Sequence, residues 1–174
     1  MISSTGDMGS RTDLYEKIEI DQDLATADKL LSAVPSLIVL VDADRKVVYA
    51  NRTILDFLDA SIGDVLGRMP GEVLGCLRAV EDGGVCGSMP ACEYCGANRA
   101  LQEAWRGFPI VQECYVTRVV ELDPPALSLR IWAKPIILQK ETLVLITAMD
   151  ISDEKRRQTL ERIFFHDILN TAAI

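Results

Sequence analysis

Five short stretches rich in apolar and β-branched residues are divided into a pair and a trio, and this order constrains the fold more than any other feature. The stretches are 36–42 and 46–50, then 108–117, 126–135 and 143–150. Turn-forming residues separate them, as is typical of short strands. A block of helical pattern lies between the pair and the trio. This order predicts an α+β fold, with a five-stranded antiparallel sheet and helices on one face.

The segments outside the sheet differ in polarity and periodicity. The first residues are rich in Ser, Gly and Thr and lack periodicity, whereas the apolar residues that follow recur at near-helical spacing up to Pro35. Pro disfavours the helical conformation in the residue before it. We therefore expect a disordered lead (1–12), an N-terminal helix (13–34), a sheet domain (35–151) with a Cys-rich insert (75–97), and a C-terminal helix (152–174).

Charge and hydropathy exclude several function classes. The formal net charge of -8 and the isoelectric point near 4.7 disfavour nucleic-acid binding, which needs a basic face. No apolar run approaches the roughly 20 residues of a membrane-spanning helix. The polar N-terminus lacks the apolar core of a secretory signal, so we expect a cytoplasmic chain. In that reducing compartment, five cysteines indicate thiols or metal ligands rather than disulfides.

Two segments of the sheet domain resemble a known family. Residues 30–58, LLSAVPSLIVLVDADRKVVYANRTILDFL, resemble the start of a PAS domain, including Asn51 after the second strand. Residues 149–156, MDISDEKR, resemble the junction where PAS domains pass into a signalling helix. Together the two matches cover about residues 25–156 and imply a PAS-like sensor domain flanked by an N-terminal helix and a C-terminal signalling helix.

The C-terminal segment 164–170, FFHDILN, resembles the H-box in the dimerisation helix of sensor histidine kinases. The resemblance implies that His166 accepts a phosphoryl group from ATP. It also implies that Asp167 is the base in this reaction and that Asn170 positions water for dephosphorylation of a response regulator. The i,i+4 spacing places His166 and Asn170 on one helix face.

The same helix carries a mostly apolar stripe, which predicts a homodimer because an apolar helix face needs a partner. Its residues are Leu160, Ile163, Phe164, Asp167, Ile168, Thr171 and Ile174. The chain departs from the usual H-box after Asn170, where it reads Thr171-Ala172-Ala173 instead of Arg-Thr-Pro-Leu. No ATP-binding domain fits in the remaining residues. We therefore expect this chain to be inactive alone, and to use ATP only through a downstream kinase domain.

Four cysteines with the spacing C-x9-C-x5-C-x2-C lie in a segment rich in Gly, and they are Cys76, Cys86, Cys92 and Cys95. Four thiolates suit either tetrahedral zinc or an iron–sulfur cluster. Zinc sites usually use two short chelating pairs, so the loose first pair favours the cluster. Two alternatives stay open: Cys76 as a core residue, and Cys92 with Cys95 as a metal-free redox dithiol. Cys114, in a strand, is expected in the core, and it is a possible fifth thiol.

These observations favour a homodimeric PAS sensor that signals redox, oxygen or metal state to His166. The alternative is a non-enzymatic dimerisation and interaction module with a structural zinc or a thiol–disulfide switch. An enzyme with a Cys nucleophile is disfavoured, because the single His lies on the C-terminal helix, away from the cysteines.

Overall fold

The computed structural model describes residues 22–80, 85–119, 122–138 and 140–172. The predicted lead (1–12) and the first part of the predicted N-terminal helix (13–21) lie outside the described residues. In chain order the elements are α1 (Gln22–Ser32), β1 (Leu37–Val41), β2 (Val47–Ala50), α2 (Arg52–Leu58), α3 (Ile62–Val65), α4 (Pro70–Val73), α5 (Leu77–Val80), a 3₁₀ helix (Pro90–Tyr94), α6 (Gly96–Trp105), β3 (Ile110–Thr117), β4 (Ala126–Leu138), β5 (Glu141–Asp150) and α7 (Ser152–Ala172).

The strands form one five-stranded sheet with the spatial order β2-β1-β5-β4-β3, in which every neighbouring pair is antiparallel. This architecture confirms the predicted α+β fold. The first and last strands of the domain, β1 and β5, therefore meet in the middle of the sheet. The helical block connects the two outer strands, β2 and β3, and crosses one face of the sheet.

The β4–β5 hairpin is longer than the sequence predicts, because β4 continues through Pro135 to Leu138. Pro135 pairs with Val144 of β5, whereas the ladder between β3 and β4 ends at Ala133. Beyond Ala133, β4 is thus an edge strand on its β3 side. A strand edge tolerates Pro, since no neighbour requires its missing N–H.

The main core lies between the sheet and the helices α2, α3, α4 and α6. Inward-facing strand residues alternate with outward-facing ones, and Leu127, Leu129 and Val144 are almost completely buried. A smaller apolar cluster on the other face, around Val48 and Leu143, packs against Leu31 of α1. The N-terminal helix thus covers part of the face that the other helices leave open.

Asn51 joins three elements at the edge of this core. Its fully buried side chain accepts hydrogen bonds from the backbone N–H of Ile38 (3.0 Å) and of Ile54 (3.2 Å). Its amide nitrogen donates to the carbonyl oxygens of Leu31 and Ser36, at 3.0 Å each. Asn51 is therefore the N-cap of α2 and also fixes the end of α1 against β1. Among the described helices, none combines the length and apolar character needed to cross a bilayer.

Candidate functional site

All five cysteines line one cavity of about 60 Å³ between the helical block and the sheet. Cys76 lies between α4 and α5, Cys86 in the following loop, Cys92 in the 3₁₀ helix, Cys95 just before α6, and Cys114 in β3. The structure thus brings together the four predicted site residues. It also adds Cys114, which is buried in the core as expected.

Gly71 of α4 makes room for the first two thiols. The backbone N–H of Cys76 donates to the carbonyl oxygen of Gly71 at 2.8 Å. A Cβ at position 71 would lie 2.7 Å from the Sγ of Cys86, well inside van der Waals contact. Residue 71 must therefore lack a side chain for Cys86 to lie against α4. A backbone bridge between Cys76 and Arg118 then ties this corner to the end of β3.

Asn98, which is buried, holds the 3₁₀ helix against α6. Its side-chain amide donates to the carbonyl oxygen of Cys92 at 2.9 Å, and its Oδ1 accepts from the Nη1 of Arg45 at 2.9 Å. Arg99 donates from Nε to the carbonyl oxygen of Glu93 at 3.0 Å. These bonds fix the backbone of the C-x-x-C segment, while its thiols face the cavity.

Cys95 and Cys114 are in direct contact, with 3.6 Å between their Sγ atoms. The backbones are equally close, since a Cβ on Gly96 would meet the carbonyl oxygen of Glu113. Glycine at position 96 thus lets α6 begin directly against β3. The C-x-x-C segment and the strand become one wall of the cavity.

The thiols differ in acidity. The hydrogen bond with Cys114 is the main cause that lowers the pKa of Cys95 to about 6; burial opposes it, and hydrogen bonds from the backbone of Asn98 and Ala97 add to the lowering. The same hydrogen bond and burial raise the pKa of Cys114. Burial raises the pKa of Cys86 to about 11. Within this pair, Cys95 is therefore the more acidic thiol and Cys114 the less acidic one.

Among the described residues, no three His, Cys, Asp or Glu side chains are gathered tightly enough to hold a metal ion as they stand. The cysteines surround a common space but do not converge on one point. Binding a metal ion or cluster would require thiol side chains to rotate toward the centre of the cavity.

A second cavity, of about 50 Å³, lies beside the first and is lined by apolar side chains. Leu37, Val47, Leu129 and Ile146 are among its lining residues. Four residues line both cavities: Pro70 of α4, Leu74 just after it, and Ala97 and Leu101 of α6. The second cavity offers contacts for an apolar ligand and no side chain for chemistry.

On the opposite face of β3, ion pairs connect the sheet to α7. Glu113 binds Lys155 (2.6 Å between Oε2 and Nζ) and Arg130 (3.2 Å). Arg130 also lies 3.4 Å from Glu154. Glu113 is the residue before Cys114, and strand alternation directs their side chains to opposite faces. The cysteine cavity and the ion pairs of α7 thus lie on the two sides of one strand.

Sequence reasoning missed this connection. The alternation along β3 separates Glu113 from Cys114, but nothing in the sequence shows that the first turn of α7 lies over that strand.

The start of α7 is also fixed by backbone bonds to β4. Ile151 donates to the carbonyl oxygen of Ser128 at 2.8 Å, and the N–H of Ser128 donates to the Oγ of Ser152 at 3.0 Å. Asp150 accepts a bond from the backbone N–H of Ser152 at 2.8 Å. The segment that resembles a PAS signalling junction is therefore hydrogen-bonded to the sheet where the helix begins.

Farther along α7, apolar side chains are exposed. Leu160, Ile163, Phe164, Phe165, Ile168 and Leu169 all lie on the protein surface. His166 is exposed as well. The side chains of Asp167 and Asn170 lie outside the described residues, so their roles stay predictions.

The comparisons concern the fold. No protein-family model matches the chain, and no curated protein is similar in sequence. Among solved structures, the PAS domain of BvgS from Bordetella pertussis is 18% identical, with a TM-score of 0.53 over 87% of this chain and 99% of that one. The PAS domain of an HTR-like protein from Haloarcula marismortui is 20% identical, with a TM-score of 0.51 over 75% and 98%.

A PAS domain from a two-component sensor histidine kinase is also similar, with 7% identity and a TM-score of 0.51 over 74% of this chain and 96% of that one. At such identities the likeness concerns the fold alone. It confirms the predicted PAS-like fold for this chain.

Proposed function

We propose that this chain is the cytoplasmic sensory part of a two-component sensor histidine kinase. In this proposal, Cys76, Cys86, Cys92 and Cys95 bind an iron–sulfur cluster or, as the alternative, a zinc ion. The state of this site controls the helix that carries His166. The observation that carries the proposal is that cysteines from separate segments line one cavity.

The chemistry of the lining favours a metal site. Four thiolates are a complete ligand set for a tetrahedral metal ion or a cubane cluster. The four proposed ligands are half-buried and lie outside the sheet, in loops, in the short 3₁₀ helix or next to a helix end, where side-chain rotation toward a common centre disturbs little of the sheet. The spacing of the first two cysteines favours the cluster over zinc. A cluster would give the site sensitivity to oxygen and to redox state.

The output side of the proposal rests on α7. A change in the cysteine cavity acts on β3 through its contact with Cys95 and α6. Glu113 of β3 holds Lys155, so a shift of the strand changes the restraint on the first turn of the helix. The exposed apolar side chains of α7 favour pairing with the same helix of a second copy. The dimer would present His166 to a kinase ATP-binding domain and to a response regulator.

The metal site is tested on the full chain purified without oxygen. We expect iron and acid-labile sulfide with visible charge-transfer absorption, and loss of both in Cys92→Ser. Ser88→Ala, in the same segment, is the control and should keep the metal. Zinc without sulfide would indicate the interaction module with a structural metal. Protein with neither metal would contradict the proposed site.

The phosphoacceptor role is tested separately, with the chain joined to a histidine-kinase ATP-binding domain. We expect labelled ATP to modify the wild-type protein and not His166→Gln. Because the chain contains a single histidine, the label has one expected position. Equal labelling of both proteins, or of neither, would remove the kinase part of the proposal and leave the metal site untouched.

A further inference from the structure

We infer that Cys95 and Cys114 are a redox pair that forms a reversible disulfide when a hydroperoxide oxidises the site. This inference goes beyond metal binding and uses a cysteine outside the proposed ligand set. The sequence alone favours Cys92 as the redox partner of Cys95, because the two form a C-x-x-C motif. The contact in the structure assigns the partner to β3 instead.

The geometry already approaches that of a disulfide. The Sγ atoms of Cys95 and Cys114 lie 3.6 Å apart. A disulfide has an S–S length near 2.05 Å, so the sulfurs need to approach by about 1.5 Å. The two backbones are already close, because α6 begins in contact with β3. A Cβ on Gly96 would meet the carbonyl oxygen of Glu113 and lie 3.3 Å from the backbone nitrogen of Cys114. We expect rotation of the two side chains to bring the sulfurs into bonding distance.

Exposure sets the order of the steps. Cys95 is half-buried, whereas Cys114 is only 3% exposed. The sulfur of Cys95 attacks the hydroperoxide, the O–O bond breaks, and an alcohol or water leaves. Cys95 becomes a sulfenic acid. The thiol of Cys114 then attacks the sulfur of Cys95, the S–O bond breaks, and water leaves. Overall, two thiols are oxidised to a disulfide while the hydroperoxide is reduced by two electrons. An added dithiol reverses the reaction by thiol–disulfide exchange.

The disulfide would affect both sides of β3. It joins the start of α6 covalently to the strand, next to the residue that binds Lys155 of α7. If the proposed metal site is correct, the disulfide also removes Cys95 from the ligand set, so oxidation would release the metal. That last consequence rests on the proposed function, while disulfide formation itself does not.

The test uses the full chain, reduced and metal-free, treated with a few equivalents of hydrogen peroxide. Remaining thiols are alkylated, and the disulfides are mapped by mass spectrometry after proteolysis. We expect a Cys95–Cys114 link, loss of two thiols from five, and recovery of both thiols with dithiothreitol. A Cys92–Cys95 link with Cys114 alkylated would overturn the inference, as would five intact thiols after treatment.

Two variants make the assignment sharper. Cys114→Ser should trap the sulfenic acid of Cys95, which dimedone labels, in place of the disulfide. Cys92→Ser is the matched control and should form the Cys95–Cys114 link as the wild type does. Failure of the link in Cys92→Ser would contradict the assignment.

If Cys114→Ser does not fold, the wild-type disulfide map alone still decides. A metal-free preparation that forms this disulfide would support the redox pair even if the metal site fails.

Discussion

The two neighbouring cavities share parts of the same helices but differ in their chemistry. The apolar cavity is enclosed by strand and helix residues of the main core. The cysteine cavity is enclosed largely by loops, the 3₁₀ helix and the N-terminus of α6. Substitutions in the apolar cavity should therefore lower the stability of the fold. Substitutions in the cysteine cavity should alter metal binding and thiol chemistry. The PAS-like sheet is thus mainly a scaffold, and the segment between its two groups of strands supplies all the cysteines except Cys114.

The largest effect on folding is expected for Leu129→Ala. Leu129 lines the apolar cavity and is 1% exposed. Its truncation should lower the free energy of unfolding by about 2–5 kcal/mol, because it leaves an unfilled space in the core. Urea unfolding measures the loss. The metal content per folded molecule should not change, and a parallel loss of metal in the folded fraction would break the separation between the cavities.

Cys92→Ser should show the opposite behaviour. Its side chain is half-buried in the 3₁₀ helix, so we expect a change of about 1 kcal/mol or less in the stability of the metal-free protein. Metal binding should fall below detection by chelator competition, because one of four ligands is lost. Cys114→Ser is the comparison variant and should keep the metal. Equal metal loss in both variants would move Cys114 into the ligand set.

Gly71→Ala tests whether the helical block is shaped around the thiols. The new Cβ would lie 2.7 Å from the Sγ of Cys86, so the variant should displace this thiol and weaken metal binding. Overpacking should also cost about 1–3 kcal/mol of stability. Gly63→Ala is the control, since its Cβ would have only an ordinary contact, at 3.8 Å from the Oγ of Ser61. Equal metal affinity in Gly71→Ala and wild type would contradict the shaping role.

The smallest effect is expected at the ion pairs of α7. Hydrogen bonds from Lys155 and Arg130 lower the pKa of Glu113 below its ordinary 4.5. Because the pKa of Glu113 is lowered in the folded state, its ion pairs stabilise the fold at a pH above 4.5. This stabilisation is lost as the pH falls through the lowered pKa. Glu113→Gln should remove them at neutral pH. We expect faster amide exchange in the first turn of α7, with little change in global stability, since the pairs are exposed. Unchanged exchange would argue against this route from the cavity to the helix.

The sequence predicts the sheet well because strand alternation and turn residues are local signals. The hairpin turn after β1 is an example, where Asp42 accepts bonds from the N–H groups of Asp44 and Lys46 at 2.9 and 2.8 Å. The extension of β4 beyond Pro135 was missed, because it depends on which neighbour stops pairing first. The four spaced cysteines were also evident from the sequence. The contact of Cys95 with Cys114 was not, since it depends on how α6 packs against β3, and no local pattern encodes that packing.

X-ray absorption at the edge of the bound metal reports which atoms bind it. In the wild-type protein we expect only sulfur ligands, at about 2.3 Å from iron or zinc. In Cys92→Ser this signal should be absent. A first shell of nitrogen and oxygen, or the same sulfur shell in Cys92→Ser, would contradict the claim that these cysteines form the sensing site.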